Sequence, residues 1–294
     1  MRWRRLRDSL ATTAMRGTVA FANSILFLLA VGLFLKARPI LTRESLVTLL
    51  FSSSWHPMRA EFGFYSFIVG TVAATAIAMI LAIPVCLLSS IYLSEYAHRH
   101  VRELVRPVVD VLAGIPSVIY GFWGVIVVVP SVRVIGQALG SPTTGYSLLA
   151  GGIILAIMVF PIIISVSTEV LQTVPMEARE ASLALGATRW ETIKHVVLRS
   201  SRAGILAAIV LGFARAFGET MAVLMVVGNV AQVPTSLFDP AYPLPALIAN
   251  NYGEMMSIPL YDSALMLAAL ILLLVVAGFN LAAHLTLLRI ERSA

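Results

Sequence analysis

Arg215 and Glu219 stand four residues apart inside the apolar run 203–227. On a helix that spacing puts both side chains on one face, one turn apart, where a guanidinium and a carboxylate touch. The run is long enough to cross a bilayer, and an ionisable group at the centre of such a helix costs roughly 2.5–3.5 kcal/mol on insertion scales. Two of them in one span must face a bundle interior or a polar path. Two chemistries fit. Either the pair neutralises itself and locks two helices together, or it lines a route for a charged solute.

The elements that position this pair are set by composition. Hydrophobic residues make up 59% of the chain and charged residues 12%, with a mean hydropathy of +0.91. Soluble domains carry about 25% charged residues. A span takes about 20 mostly apolar residues, and six runs qualify: 18–35, 66–93, 107–129, 146–168, 203–227 and 262–288. The short alternating strands of a transmembrane barrel are absent from the sequence. The expected fold is an all-α integral membrane protein with six transmembrane helices in one domain, 1–294. Arg2, Arg4, Arg5 and Arg7 before an apolar run mimic a signal peptide, but the run is too long and no small-x-small site precedes Lys36. An uncleaved first span is expected. Fifteen Lys and Arg fall on the side of the N-terminal tail, the loops after spans 2 and 4 and the C-terminal tail, against five on the other. The bias predicts both termini in the cytoplasm. The single cysteine, Cys86, lies within the second span and reads as a packing residue.

Several local patterns carry expectations. Trp55, Pro57, Phe62 and Phe64 in the loop 36–65 suit a membrane-interface anchor. Gly70, Ala74 and Ala78 permit close helix approach, and Pro84 is placed to kink the second span. Pro116, inside the third run, frees a backbone carbonyl that must find a neighbour, a water or a solute, with Ser117 and Tyr120 close by. The loop 228–261 has no Lys or Arg and many prolines, and 244–252 reads as a short interfacial or re-entrant helix.

The loop 169–202 is more specific. Pro175 can open a helix, 176–185 contains good helix formers, and Gly186 is a natural stop. Trp190 and a second helix follow. Taken alone, this is a solvated helical hairpin. Glu180-Ala181-Ser182, three residues, Gly186, nine residues, then Val196-x-Leu198 resembles the coupling motif of ATP-binding-cassette importer permeases: Glu-Ala-Ala, three residues, Gly, nine residues, Ile-x-Leu-Pro. The chain departs at Ser182, Val196 and Arg199. The last loses a helix-opening proline and leaves the start of the fifth span open. The resemblance implies that the short helix docks on a cytosolic ATPase, with Glu180, Ala181 and Gly186 carried over. Arg189 and Trp190 are added as contact residues. Neither lysine, Lys36 nor Lys194, sits in a phosphate-binding loop, so any ATP is bound by a partner.

Leu112-Ala-Gly-Ile-Pro-Ser-Val-Ile-Tyr-Gly121, Ala184-Leu-Gly-Ala-Thr-Arg-Trp-Glu191 and Arg215-Ala-Phe-Gly-Glu-Thr-Met-Ala-Val223 are similar to phosphate-specific importer permeases of the PstC type. That resemblance implies a type I importer permease fold with a core over 66–288, placed in a bacterial or archaeal cytoplasmic membrane. It implies a heterodimer with a PstA-type permease, two copies of an ATPase, an extracytoplasmic phosphate-binding protein, and no cofactor or metal. The expected substrate path comprises Arg215, Glu219, Thr220, Ser117 and Tyr120. The chemistry agrees: Arg215 can hold phosphate by charge-assisted hydrogen bonds, and an ionised Glu219 accepts from a P–OH that sulfate lacks near pH 7. Permeases for phosphonate, sulfate or molybdate, and a proton-coupled secondary transporter, are the alternatives; inverted repeats that would favour the latter are absent from the sequence. The five histidines form no zinc-protease pattern, and Asp110 has no catalytic partner in sequence, which leaves little room for an enzyme.

Overall fold

The computed structural model describes residues 2–253 and 258–292, so the expected loop 228–261 lies partly outside them. Its elements are α1 (Arg2–Arg43), α2 (Leu46–Phe51), β1 (Trp55–His56), β2 (Glu61–Phe62), α3 (Tyr65–Ile91), α4 (Arg99–Gly114), α5 (Ser117–Trp123), α6 (Val129–Ala138), α7 (Leu148–Gln172), α8 (Met176–Ala184), α9 (Arg189–Thr192), α10 (Leu198–Gly218), α11 (Met221–Leu224), α12 (Leu244–Asn251) and α13 (Tyr261–Arg292). Wide π-turns at Tyr92–Tyr96, Gly124–Val128 and Ile193–Val197 extend α3, join α5 to α6 and join α9 to α10. Six helical stretches are long and apolar enough to cross a membrane: Leu10–Arg43, Tyr65–Tyr96, Ser117–Ala138, Leu148–Gln172, Arg189–Gly218 and Tyr261–Arg289.

The central helix is α7, which packs on α3, α10, α4, α5 and α11, while α1 leans on α13. Small side chains permit the close approach. Ala74 and Ala78 of α3 are buried against α7. A Cβ on Gly152 of α7 would lie 2.4 Å from Ile77 Cγ2, and one on Gly212 of α10 would lie 2.6 Å from Ile163 Cδ1. At Gly70 the close neighbour is instead loop backbone: a Cβ there would stand 3.5 Å from Tyr242 N. Pro84 and Pro161 sit inside α3 and α7 without ending either helix. The 244–252 expectation is met by α12, whose first residues are buried and whose Leu244 N–H donates to Thr71 Oγ1 at 2.8 Å.

Three expectations are corrected. The third span begins at Ser117, not residue 107, because 99–114 forms a separate helix, α4, that ends before Ile115-Pro116. Arg102, Arg106 and Asp110 lie along α4, which makes it amphipathic rather than spanning. The fifth span ends at Gly218, not residue 227: Glu219 is extended (φ −72°, ψ 128°), and the chain turns so that Ala222, Val223, Val226 and Val227 bury beside α5 and α7. The aromatics of the loop 36–65 face inward. Trp55 stacks edge-on with Phe62 and Phe67 (centroids 5.5 and 4.8 Å) and Phe62, Phe64 and Phe67 are buried, so they form a core cap with Tyr261. Such ring pairs contribute about 0.5–1.5 kcal/mol each beyond burial.

A turn before α12 caps α7. The carbonyls of Asp239 and Leu237 accept the N–H groups of Leu148 and Leu149 at 2.8 and 2.9 Å, two of the donors a helix start leaves open. The turn is closed by Asp239 Oδ2, which accepts from the Thr235 hydroxyl and N–H and from Ser236 N–H. The Thr235 hydroxyl, then these two amides, hold the Asp239 carboxyl below its ordinary range. A depressed folded value means the turn is fully stabilised above the unfolded carboxylate pKa of about 3.9 and loses that support as pH falls through the lower folded value. Exchange protection at the Leu148 and Leu149 amides is expected to fall on that acidification, and to be low already at neutral pH in Asp239→Ala; pH-independent protection in the wild type would contradict this.

Candidate functional site

Arg215 occupies the last turn of α10, and its side chain is exposed on an open cleft of about 540 Å³ between α4, α7 and α10. Asp110, Ser165 and Pro161 line the same cleft. Glu219 follows the break and faces elsewhere, into a small cavity beside Thr71, Thr75, Pro243 and Pro245. Its Oε1 accepts from Ala222 N–H at 3.4 Å, which places the carboxylate at the start of the short turn α11. The expected one-face geometry is therefore absent. Residues 215 and 219 do not share a continuous helix, and no Arg215–Glu219 ion pair is among the described ones. The self-neutralising pair is not what this fold builds.

The remaining expected path residues cluster at the two chain breaks. Thr220 is half-buried beside Glu219, its hydroxyl 3.4 Å from the Gly218 carbonyl. Ser117 opens α5. Tyr120 is buried, and its hydroxyl donates to the Leu112 carbonyl at 2.7 Å. That is the acceptor Pro116 cannot reach, and it is satisfied by this side chain together with the Ile115 N–H at 3.3 Å. The sequence missed Asp110 as a neighbour of Arg215. Its signal was present, a carboxylate within an otherwise apolar stretch, but the partner lies far away in the chain.

At one end of the bundle, α8 and α9 form a hairpin. α8 stops where Gly186 adopts φ +87°, and Gly186 and Ala187 N–H donate back to Leu183 and Ser182 carbonyls. Thr188 and Glu191 form a reciprocal capping box that starts the next helix. This resolves the missing proline at Arg199: the fifth span begins at Arg189 and runs through residue 199 without a new start. Ser182 has a use as well, since its hydroxyl bonds that of Thr192 at 2.9 Å and ties the hairpin together. Met176, Glu180 and Leu183, at positions i, i+4 and i+7, are all exposed on one face, with Ala181, Leu185 and Trp190 nearby. Leu185 is 90% exposed and leaves a large apolar side chain open at the end of α8. Arg189 instead reaches back over the Tyr96 ring, 4.6 Å from its centroid, and donates to the Glu95 carbonyl.

A broken, small-residue helix bundle with an exposed helical hairpin on one end defines a class, and comparison with known proteins identifies it. The family model of binding-protein-dependent transport system inner membrane components matches residues 87–292. The phosphate transport system permease protein PstC of Xylella fastidiosa (strain 9a5c) is 36% identical over 98% of this chain and 94% of its own length. A probable PstC of Methanocaldococcus jannaschii is 32% identical over 88% of each chain. A probable ABC transporter permease, YqgH of Bacillus subtilis, is 40% identical over 71% of this chain and 67% of its own. Among solved structures, a bacterial ABC transporter involved in alginate import matches with TM-score 0.63 at 15% identity over 96% of both chains, and the MetNI methionine transporter with TM-score 0.58 at 21% identity over 75% of this chain and 93% of that one. These two share the fold. The chain belongs to the inner-membrane permeases of binding-protein-dependent ABC importers and, within them, to the PstC group. It is a multi-pass membrane protein that works with other transporter subunits and a binding protein.

Proposed function

We propose that this chain is the permease subunit through which an ATP-driven importer moves inorganic phosphate across the cytoplasmic membrane. The observation that carries the reading is a guanidinium outside the described ion pairs, Arg215, set at mid-bundle on an open cleft in a chain of the PstC group. Arginine is suited to a tetrahedral oxyanion because its planar fork donates two parallel hydrogen bonds. Asp110 lines the same cleft and opposes a resident anion, which keeps occupancy short; a path must bind enough to admit a solute and weakly enough to release it. Since Arg215 and Glu219 line different cavities in this conformation, they act in succession. Glu219, with Thr220 beside it, stands on the outer side of the break and tests for a P–OH proton, and Arg215 then holds the anion deeper in the bundle. Ser117 and Tyr120 shape the facing wall.

The whole chain, 1–294, acts as one transmembrane unit with both termini in the cytoplasm, and catalyses no reaction itself. Glu180, Ala181, Gly186, Trp190 and the exposed rim of Arg189 form the surface for one of two cytosolic ATPase subunits. A PstA-type permease completes the pathway, and an external phosphate-binding protein delivers to it. The test is uptake by proteoliposomes holding the complete transporter. Radiolabelled phosphate should accumulate only with ATP on the α8 side and should be displaced poorly by sulfate. Uptake driven by an ion gradient without ATP would replace this reading with a secondary carrier, and preference for sulfate or phosphonate would move the substrate.

A further inference from the structure

A helix end leaves its last carbonyls without partners and carries a partial negative charge. At the end of α3 the π-turn Tyr92–Tyr96 gathers these acceptors; two arginines from other segments bond them, and a third bonds the Glu95 side chain. Arg102 of α4 donates through Nε to Leu93 O and through Nη2 to Ser94 O, both at 2.9 Å. Arg189 of α9 donates to Glu95 O and covers Tyr96. Arg179 of α8 donates through Nη2 to Glu95 Oε1 at 3.0 Å and to Leu171 O, near the end of α7, at 2.8 Å. The Ser94 hydroxyl also donates to Glu95 Oε1. The Glu95 and Arg179 side chains are only 10% and 17% exposed, whereas the other described ion pairs are largely open to solvent.

We infer that Glu95 is the residue that positions Arg179 in a joint of three arginines, through which movement of the α8–α9 hairpin reaches the ends of spans 2 and 4 and the lead-in to span 3. On α8, Arg179 and Glu180 are consecutive, so they point about 100° apart. Arg179 faces the joint and Glu180 faces out. A displacement applied to the outer face is therefore delivered to Glu95 through the adjacent residue. The joint is made of charge-assisted hydrogen bonds, the strongest available to polar side chains, and π-turns of this kind recur at functional sites in helices. The inference rests on the ATP-coupled reading of the hairpin.

The test uses the complete transporter in proteoliposomes, with wild type and Glu95→Gln, and reads two quantities. The first is ATP hydrolysed per phosphate imported. The second is the distance between spin labels at the exposed positions Tyr92 and Glu177, the latter on α8 but off the Met176, Glu180, Leu183 face, without nucleotide and with ATP trapped. Wild type should keep one label distance in both states. Glu95→Gln should assemble, hydrolyse ATP, and consume about tenfold more of it per phosphate, within the 5–150-fold span of typical coupling, while the label distance changes with nucleotide. Unchanged ATP consumption per phosphate and an unchanged label distance in Glu95→Gln would overturn the joint. Failure of the wild type to import phosphate would remove the substrate reading, and the label distances would still decide on the joint. If Glu95→Gln does not assemble, the reversed pair Glu95→Arg with Arg179→Glu decides: coupling restored above both single changes supports the joint, and no recovery overturns it.

Discussion

Arg215→Ala is expected to reduce ATP-driven phosphate uptake by about 100-fold or more, with the chain present in the membrane at normal levels and bound to its partner subunits. Removing one member of a desolvated, hydrogen-bonded charge pair costs about 2–5 kcal/mol, and each 1.36 kcal/mol is tenfold in rate. The second half of the expectation follows from what Arg215 leaves alone. It takes part in none of the described ion pairs, and its side chain faces an open cleft, so alanine strands no buried carboxylate. Its neighbours Ala216 and Phe217 carry the local packing, and they are buried independently of it. Arg215→Lys separates charge from shape. A lysine keeps the positive charge but offers no planar fork, so an intermediate loss, about tenfold, is expected if the anion is held by two donors at once. The measurement is initial uptake rate normalised to membrane-inserted protein. Normal uptake in Arg215→Ala would take the residue off the path. Loss of the protein from the membrane would assign it to assembly.

What the sequence made legible was local chemistry. Gly186 announced the end of α8 because a left-handed residue closes a helix, whereas the Thr188–Glu191 capping box that starts the next helix emerges only in the structure. Pro116 announced a freed carbonyl, and the structure supplies the Tyr120 hydroxyl four residues on. The misses were tertiary. Apolar content runs without interruption from 203 to 227, so hydropathy sees one helix. Past the break at Gly218 the following residues pack against α5 and α7 instead of continuing the helix, a tertiary arrangement hydropathy does not register. Composition likewise cannot tell an aromatic anchor at a membrane surface from an aromatic core, and Trp55 belongs to the second. Asp110 and Arg215 are far apart in the chain; only the docking of α4 on α7 makes them neighbours on one cleft. Residue types were legible, and so were their chemical tendencies. Which of them meet depends on packing that no local pattern encodes.

Glu180→Lys should abolish uptake as completely as Arg215→Ala, by a different route. Glu180 is exposed at the centre of the Met176, Glu180, Leu183 face and is in none of the described ion pairs, so the substitution breaks no ion pair inside the chain. Lysine is as good a helix former as glutamate, and the hairpin keeps its glycine stop, its capping box and the Ser182–Thr192 bond. The chain should therefore insert and fold normally. What changes is the sign of the charge offered to the ATPase. A partner surface that accepts a carboxylate presents donors or positive charge to it, and a like-charge juxtaposition costs several kcal/mol. Glu180→Gln removes the charge without reversing it and should lose less. Two readouts make the result specific: recovery of the ATPase on the tagged permease, and phosphate uptake per assembled complex. If both fall together, the face is a docking surface. If the ATPase stays bound and hydrolyses ATP without uptake, Glu180 transmits motion after docking, and the defect should then resemble that of a severed Glu95–Arg179 joint. Undiminished uptake with the ATPase bound would mean that α8 is a solvated hairpin and that coupling enters the bundle elsewhere.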